Sequence, residues 1–172
     1  MSNVTFHSQP SRQQKRRRTE RILAVGALVL IGIALVLSSI RAESDLLSVL
    51  QQAVPEAELL ERQADGVYAA WADGDRQELI GYVAVGRASG YGGPLDLAVV
   101  VDPEGQIIGL QVVSHKETQS WYDRVADRNF EAGLLGKSYT DEFRLGADVD
   151  SVTGATYTAR AFAEAALDGS RL

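Results

Sequence analysis

Seven residues from Asp150 to Thr156, reading DSVTGAT, combine hydroxyl and small side chains at the start of an apolar helical pattern. The spacing predicts that Thr153 caps this helix, while Gly154 and Ala155 leave room beside its first turn. Free backbone N–H groups and the positive end of the helix dipole favour an anion there, and a phosphate suits such a site. A phosphate bonded to the Thr156 oxygen would have its remaining charge stabilised by the helix end. The competing interpretation, which the residues alone favour, is an ordinary N-cap on a helix of small residues.

Two other segments contain residue types that could bind a ligand. Gly90, Tyr91, Gly92 and Gly93 form a glycine-rich stretch that permits close approach of the backbone to a ligand, although a tight connection between strands explains it equally well. The second segment, reading SHKET, spans residues 114–118.

The SHKET segment contains His115, Glu117 and Thr118. The histidine could contact a ligand through either ring nitrogen or make a structural hydrogen bond. Glu117 could form an acid/base pair with Asp150, although their spacing does not require it. Trp121 and Tyr122 follow, and they could stack on a planar ligand, but aromatic residues at the start of a helix more often pack in the core.

Composition excludes several classes of function. The chain has 172 residues and no cysteine, which rules out thiolate-held iron–sulfur clusters, attached haem and thiol nucleophiles. His115 is the one histidine beyond the amino-terminal tail, so we expect no metal site. Residues 22–172 carry a net charge of −11, so we expect no nucleic-acid partner. No glycine pattern of a Rossmann or Walker nucleotide site is present.

A membrane anchor precedes the rest of the chain in this interpretation. Residues 22–40 are 19 residues without a charge, enough for a helix of roughly 28 Å. Residues 1–21 contain six basic residues and one acidic residue, whereas Arg41 alone follows the span closely. This asymmetry predicts a cytoplasmic amino terminus and a domain outside the cytoplasm. A cleaved signal peptide is the alternative, but the apolar stretch is long and Ile40 and Arg41 stand where small residues are needed.

The remaining elements predict an α+β fold, in which an antiparallel sheet packs against helices after one transmembrane helix. A short amphipathic helix capped by Ser44 and stopped by Pro55, followed by a linker, occupies residues 41–65. Alternating apolar residues then predict two hairpins in residues 66–172. The first set comprises Val67, Ala69, Trp71, Ile80, Tyr82 and Ala84, and the second comprises Leu95, Leu97, Val99, Val101, Ile108, Leu110 and Val112.

The last predicted helix starts near Thr153 and ends at Gly169. Its apolar stripe contains Ala155, Ala159, Phe162, Ala163, Ala166 and Leu167. Thr156, Arg160 and Glu164 run down the opposite side at intervals of four. This register places the Thr156 hydroxyl in the first turn, on the face directed away from the core.

Residues 66–172 resemble the FMN-binding domain family, which includes the G subunits of Rnf-type electron-transport complexes and the C subunits of sodium-translocating NADH:quinone reductases. DSVTGAT matches the pattern D-x-x-[ST]-G-A-[ST], in which a flavin transferase takes FMN from FAD and attaches it by a phosphodiester to the last Ser or Thr. The resemblance assigns that position to Thr156 and assigns Asp150 to recognition by the transferase. Residues 90–95 resemble the glycine-rich loop before a central strand, and SHKET resembles the family's H-x-E-T segment. A Pro-Gly-Leu-Gly-type turn commonly follows in the family, whereas this chain has QSWY.

The resemblance implies a membrane-anchored electron carrier with covalent FMN on the outer face, working with other membrane electron-transport subunits rather than as a stand-alone catalyst. The implied cofactor-binding residues are Gly90, Tyr91, Gly92, Gly93, His115, Glu117, Thr118, Asp150, Thr153, Gly154, Ala155 and Thr156. The alternatives are an anchored non-redox sensory or assembly module of the same fold and an enzyme that reduces its own small acceptor. A proton donor for that enzyme would come from His115, Glu117 or Tyr91.

Overall fold

The structure is a computed structural model that describes residues 12–63 and 66–171. Within these ranges, residues 12–22 and residue 24 are described by their backbone only. Residues 1–11 of the predicted basic tail, the side chains of its six basic residues, and positions 64, 65 and 172 lie outside this description. Two compact units divide the chain, one up to Ser44 and the other from Asp45 onward.

Helix α1 runs from Arg12 to Ala53. One stretch in the described residues, Val25–Ala53, is long and apolar enough to cross a membrane. The predicted separate helix with a cap at Ser44 is wrong, because α1 continues through that position. No glycine or proline interrupts residues 41–53, and Ser44 Oγ donates to the Arg41 carbonyl 2.8 Å away instead of capping. The helix ends two residues before Pro55, as predicted.

Five antiparallel strands form one sheet in the order β1-β2-β3-β4-β5. Their bounds are β1 Leu59–Arg62, β2 Tyr68–Trp71, β3 Leu79–Ser89, β4 Pro94–Val101 and β5 Ile107–His115. Both predicted hairpins are confirmed, β2 with β3 and β4 with β5. Strand β1 lies in the segment predicted as a linker, because its sequence LLER does not alternate between apolar and polar residues.

Strand β4 is covered on both faces. Leu95, Leu97, Val99 and Val101 are buried in one apolar cluster, as their spacing predicts. Ala98 and Val100 lie in a second cluster with Leu50 and Val54.

Two of the predicted core positions in the neighbouring strands are wrong. A register shift between Val100 and Val101 pairs Val101 with Ile107, so Ile107 is buried while Ile108 is exposed. In β3, the buried side chain is Val83, and Tyr82 is exposed.

Three helical segments lie beyond the sheet in sequence: α2 (Gln119–Ala126), a 3₁₀ helix (Phe130–Leu134) and α3 (Thr156–Gly169). The predicted apolar stripe of α3 is confirmed and packs on the β4 cluster. Its predicted start is wrong, because α3 begins at Thr156 and its N-cap is Ala155, with no side-chain capping bond. Gly154 has φ +80°, a left-handed conformation that separates Thr153 from the helix.

Candidate functional site

The first turn of α3 borders an open pocket of about 340 Å³. The lining residues are Tyr91, Trp121, Gly154, Ala155, Thr156, Tyr157 and Thr158. Thr156 is exposed at the start of the helix, as its register predicts, while Ala155 and Thr158 beside it are buried. The first N–H groups of a helix have no intrahelical acceptor, so the Thr156 hydroxyl lies at an electropositive helix end.

Three aromatic side chains line the same pocket as this hydroxyl. The Tyr91 and Trp121 rings meet edge to face, with centroids 4.3 Å apart and planes at 84°. Tyr157 lies 6.2 Å from Tyr91, measured between ring centroids. Tyr91 and Tyr157 expose 63% and 64% of their surface, far more than core aromatics do. Exposed ring faces beside a polar group suit a planar, partly polar ligand.

Residues 90–93 hold Tyr91 at the pocket. The Gly90 N–H donates to the Gly93 carbonyl at 2.8 Å, and Gly93 has φ +150°. A β-carbon at residue 90 would overlap Glu117 Oε1, and one at residue 92 would lie 2.5 Å from the Lys116 carbonyl oxygen. The glycines at positions 90 and 92 therefore permit the loop to lie directly on the Glu117 segment.

Glu117 joins this loop to α3. Its side chain is 7% exposed, and Oε2 accepts from the Gly92 N–H at 3.2 Å and from Thr158 Oγ1 at 3.1 Å. Oε1 is buried and has no hydrogen-bond partner among the described residues. The buried carboxylate thus connects the segment carrying Tyr91 with the residue two positions after Thr156, and it does not line the pocket.

His115 and Tyr122 pack against each other rather than lining the pocket. Their rings stack with centroids 3.9 Å apart and planes at 2°, and Tyr122 also lies 6.0 Å from the Phe162 ring. Burial, and then the charges of Glu131 and Asp123, raise the pKa of Tyr122 above its ordinary value. His115 Nδ1 is buried without a partner within the part of the chain that the structure describes. Of the two aromatics predicted as possible stacking partners, Trp121 alone borders the pocket.

The other predicted site residues lie elsewhere. Asp150 lines a second open pocket, of about 590 Å³, together with Arg128 and Ser151. Glu117 and Asp150 share no hydrogen bond in the described ranges, so the structure shows no contact for the acid/base pair considered from sequence. Thr118 is exposed before α2, and its carbonyl accepts from the Trp121 N–H at 2.9 Å. Thr153 is exposed in the turn before α3.

Sequence reasoning missed Arg124, Tyr157 and Thr158. Tyr157 and Thr158 follow Thr156 directly, so a helical projection could have placed them in the same turn. Arg124 follows Trp121 by three positions in α2, a spacing that puts both on one helix face. A β-carbon at Gly154 would lie 2.5 Å from Arg124 Nη1, which shows how near the guanidinium is to this backbone.

Comparison with known proteins identifies the family. An FMN-binding domain profile matches residues 90–169. The G subunit of the ion-translocating oxidoreductase complex of Aliivibrio fischeri is 30% identical over 171 residues, covering 83% of this chain and 80% of the relative. The chain belongs to the FMN-binding domain family.

Two other similarities accompany this assignment to the FMN-binding domain family. The G subunit of the ion-translocating oxidoreductase complex of Vibrio parahaemolyticus is 28% identical over 151 residues, covering 73% of this chain and 71% of the relative. The crystal structure of Shewanella oneidensis NqrC aligns with a TM-score of 0.47 at 21% identity, covering 67% of this chain and 66% of that one.

The pocket fits the cofactor of the FMN-binding domain family in the character of its lining. FMN has a flat aromatic ring system at one end and a phosphate at the other. The exposed rings of Tyr91 and Tyr157 and the partly buried ring of Trp121 offer surfaces for the ring system. The Thr156 hydroxyl, the α3 amino end and the nearby Arg124 guanidinium offer hydrogen-bonding groups and positive charge for the phosphate.

Proposed function

We propose that the protein is a membrane-anchored electron-transfer subunit that carries FMN covalently through a phosphodiester to Thr156, outside the cytoplasm. One observation carries the proposal: an exposed hydroxyl at the first residue of α3 borders a pocket with three aromatic side chains. When bound, FMN supplies electron transfer through its isoalloxazine ring.

Thr156 has the accessibility that attachment requires. Its exposed hydroxyl can enter the active site of a flavin transferase, whereas the buried Thr158 hydroxyl donates to Glu117. In the transfer, the Thr156 oxygen forms a bond to the FMN phosphorus of FAD. The pyrophosphate bond breaks, AMP leaves, and the threonine proton is lost to a base. The transferase and FAD are the partners that this step requires.

The residues around the pocket would hold the ring system in place. Tyr91 and Trp121 hold each other edge to face, and Glu117 fixes the loop that carries Tyr91. A rigid aromatic pocket would hold the flavin at a constant position for electron transfer. The relatives are named as subunits of ion-translocating complexes, which supports electron-transport subunits of the membrane as partners.

Covalent attachment can be tested by co-expression of the full chain with a flavin transferase. The wild-type protein should give a flavin-fluorescent band on a denaturing gel, with a mass increase of FMN less one water. Thr156→Ala should abolish both signals. Ser151→Ala, which removes an exposed hydroxyl five residues earlier at a position where the pattern accepts any residue, is the matched control and should retain them. An unmodified wild-type protein in the presence of active transferase would refute the proposal.

The orientation is tested separately. A reporter enzyme that works only outside the cytoplasm, fused after Leu172, should be active, because six basic residues precede the apolar stretch. Activity of a reporter restricted to the cytoplasm would instead reverse the proposed topology while leaving the attachment chemistry intact.

A further inference from the structure

Arg124 lies on a helix that borders the Thr156 pocket. Residues 119–126 form α2, and Trp121 on this helix lines the pocket. Arg124 lies three positions later and therefore on the same helix face. Helix α2 thus supplies an aromatic wall of the pocket and a cation close to it.

The guanidinium lies against the turn that precedes α3. Arg124 Nη1 would be 2.5 Å from a β-carbon at Gly154, a residue whose φ is +80° and which has no such atom. Gly154 itself lines the pocket and precedes Thr156 by two residues. The glycine therefore leaves space for the guanidinium beside the same backbone that presents the Thr156 hydroxyl.

This cation has no anionic partner among the described residues. Arg76, Arg87, Lys137 and Arg144 form ion pairs with carboxylates, whereas Arg124 forms none in the described ranges. The adjacent Asp123 carboxylate accepts a hydrogen bond from Gln119 Nε2 at 2.7 Å. The exposed Arg124 guanidinium is consequently available for an anion from outside the chain.

Arg160 is the residue that sequence spacing alone would select instead, because it follows Thr156 by four positions on α3. Its guanidinium carbon lies 5.7 Å from the Tyr157 ring centroid. Arg160 also lines a different pocket, together with Glu142, Arg144 and Glu164. The Arg160 guanidinium is thus placed over the Tyr157 ring and beside that pocket, whereas the Arg124 guanidinium lies against Gly154.

We propose that Arg124 binds the phosphate that joins FMN to Thr156. This inference rests on the proposed function, because it requires the phosphodiester. A phosphodiester retains one negative charge and two free oxygens, and a guanidinium presents N–H donors in a planar fork that matches such a pair. Arg124 is thus a phosphate-positioning residue that fixes the linkage beside the aromatic walls.

Phosphorus NMR of the flavin-loaded full chain in detergent tests this role without measuring activity. Arg124→Gln should shift the phosphodiester resonance, and Arg124→Lys should produce a smaller shift. Arg128→Gln removes the same charge from a residue that lines the second pocket, and it should leave the resonance in place. A resonance unmoved by Arg124→Gln, or moved equally by Arg128→Gln, would overturn the inference.

A second measurement does not require the Arg124 variants to carry flavin. Phenylglyoxal labelling of arginines, read by mass spectrometry, is compared between the loaded wild type and flavin-free Thr156→Val. Loading should slow labelling of Arg124 several-fold and leave Arg128 unchanged, whereas equal labelling of Arg124 in both proteins refutes the inference. A wild-type chain with no bound phosphorus would mean that the proposed function itself fails.

Discussion

Strand β4 is buried on both faces, and the two layers that cover it differ in composition and in what they carry. On one face, α3 contributes Phe162 and a run of alanines that bring its backbone close to the sheet. A β-carbon at Gly86 in β3 would overlap the Ala165 carbonyl oxygen, so the approach of α3 depends on small residues. On the other face, larger residues from the end of α1, led by Leu50, complete the core.

The two layers have different roles, because only one of them positions the residues of the pocket. The pocket residues belong to α2, to α3 and its preceding turn, and to the loop before β4. The α3 layer therefore determines where Thr156 and the aromatic rings lie, whereas the Leu50 layer contributes burial. Damage to either layer should reduce stability, but only damage to the α3 layer should change the site.

The largest expected effect comes from Phe162→Ala. Phe162 is 1% exposed and lies 6.2 Å from the Phe130 ring and 6.0 Å from the Tyr122 ring, so truncation leaves a cavity under α3. We expect the free energy of unfolding to fall by about 3–5 kcal/mol, measured by urea denaturation of the full chain in detergent.

Leu50→Ala is the matched variant on the opposite face and should cost about 2–5 kcal/mol. The two variants should differ in flavin incorporation per folded molecule, which Phe162→Ala lowers and Leu50→Ala leaves at the wild-type level. Equal loss of incorporation in both would contradict the division of roles between the two layers.

Thr158→Val tests the connection between α3 and the glycine loop. The substitution keeps the shape of the buried side chain but removes the donor to Glu117 Oε2. Removing a hydrogen-bond donor from a buried carboxylate costs about 1–3 kcal/mol. We therefore expect the free energy of unfolding, measured by urea denaturation, to fall by about that amount. Thr156→Val, which removes the neighbouring exposed hydroxyl, should leave the stability of the flavin-free protein within about 0.5 kcal/mol of wild type.

Gly90→Ala tests the loop from its other side. The added methyl would overlap Glu117 Oε1, and such crowding costs about 1–3 kcal/mol. The Glu117 carboxyl group or the loop must then shift, which breaks the contact that holds Tyr91 and should alter the fluorescence of the loaded flavin. Gly74→Ala lies in a turn where a β-carbon meets open space, and it should reproduce the wild-type spectrum.

The smallest expected effect concerns Asp148, before α3, and the stability of the folded protein at low pH. Although burial raises the pKa of Asp148, a hydrogen bond from the Arg144 N–H, the Lys137 ammonium and a bond from the Phe143 N–H together hold it below 3.8. Because the folded-state pKa is depressed, this stabilisation is complete above the unfolded value and disappears as the pH falls through the folded value. Asp148→Asn should therefore flatten the dependence of stability on pH below about 4. An unchanged acid profile would show that these bonds do not stabilise the folded state.

The spacing of apolar residues in the sequence predicted the strands and the helix whose buried side chains recur at regular intervals. Leu95, Leu97, Val99 and Val101 recur at every second position of β4 because that face packs on α3, and the stripe of α3 repeats at helical spacing for the same reason. The cofactor-binding residues were predicted by resemblance, and four of these twelve, Tyr91, Gly154, Ala155 and Thr156, line one pocket, whereas the other eight do not line it.

The remaining features depend on contacts between distant residues. Strand β1 exists because it pairs with β2, and its four residues carry no pattern of their own. The start of α3 is delayed by the left-handed conformation of Gly154, which a cap pattern does not show. Arg124 reaches Gly154 only because α2 packs near α3, so no spacing along the chain indicated this approach.

Peptide mapping of the protein from its native membrane tests the central claim most directly. Trypsin releases residues 145–160, because Arg144 and Arg160 enclose a segment without lysine or arginine. This peptide also contains Ser151, Thr153, Tyr157 and Thr158, so fragmentation distinguishes Thr156 from every other hydroxyl. The account predicts the mass of FMN less one water on Thr156. A bare peptide from cells with active transferase, or flavin on another residue, would contradict it.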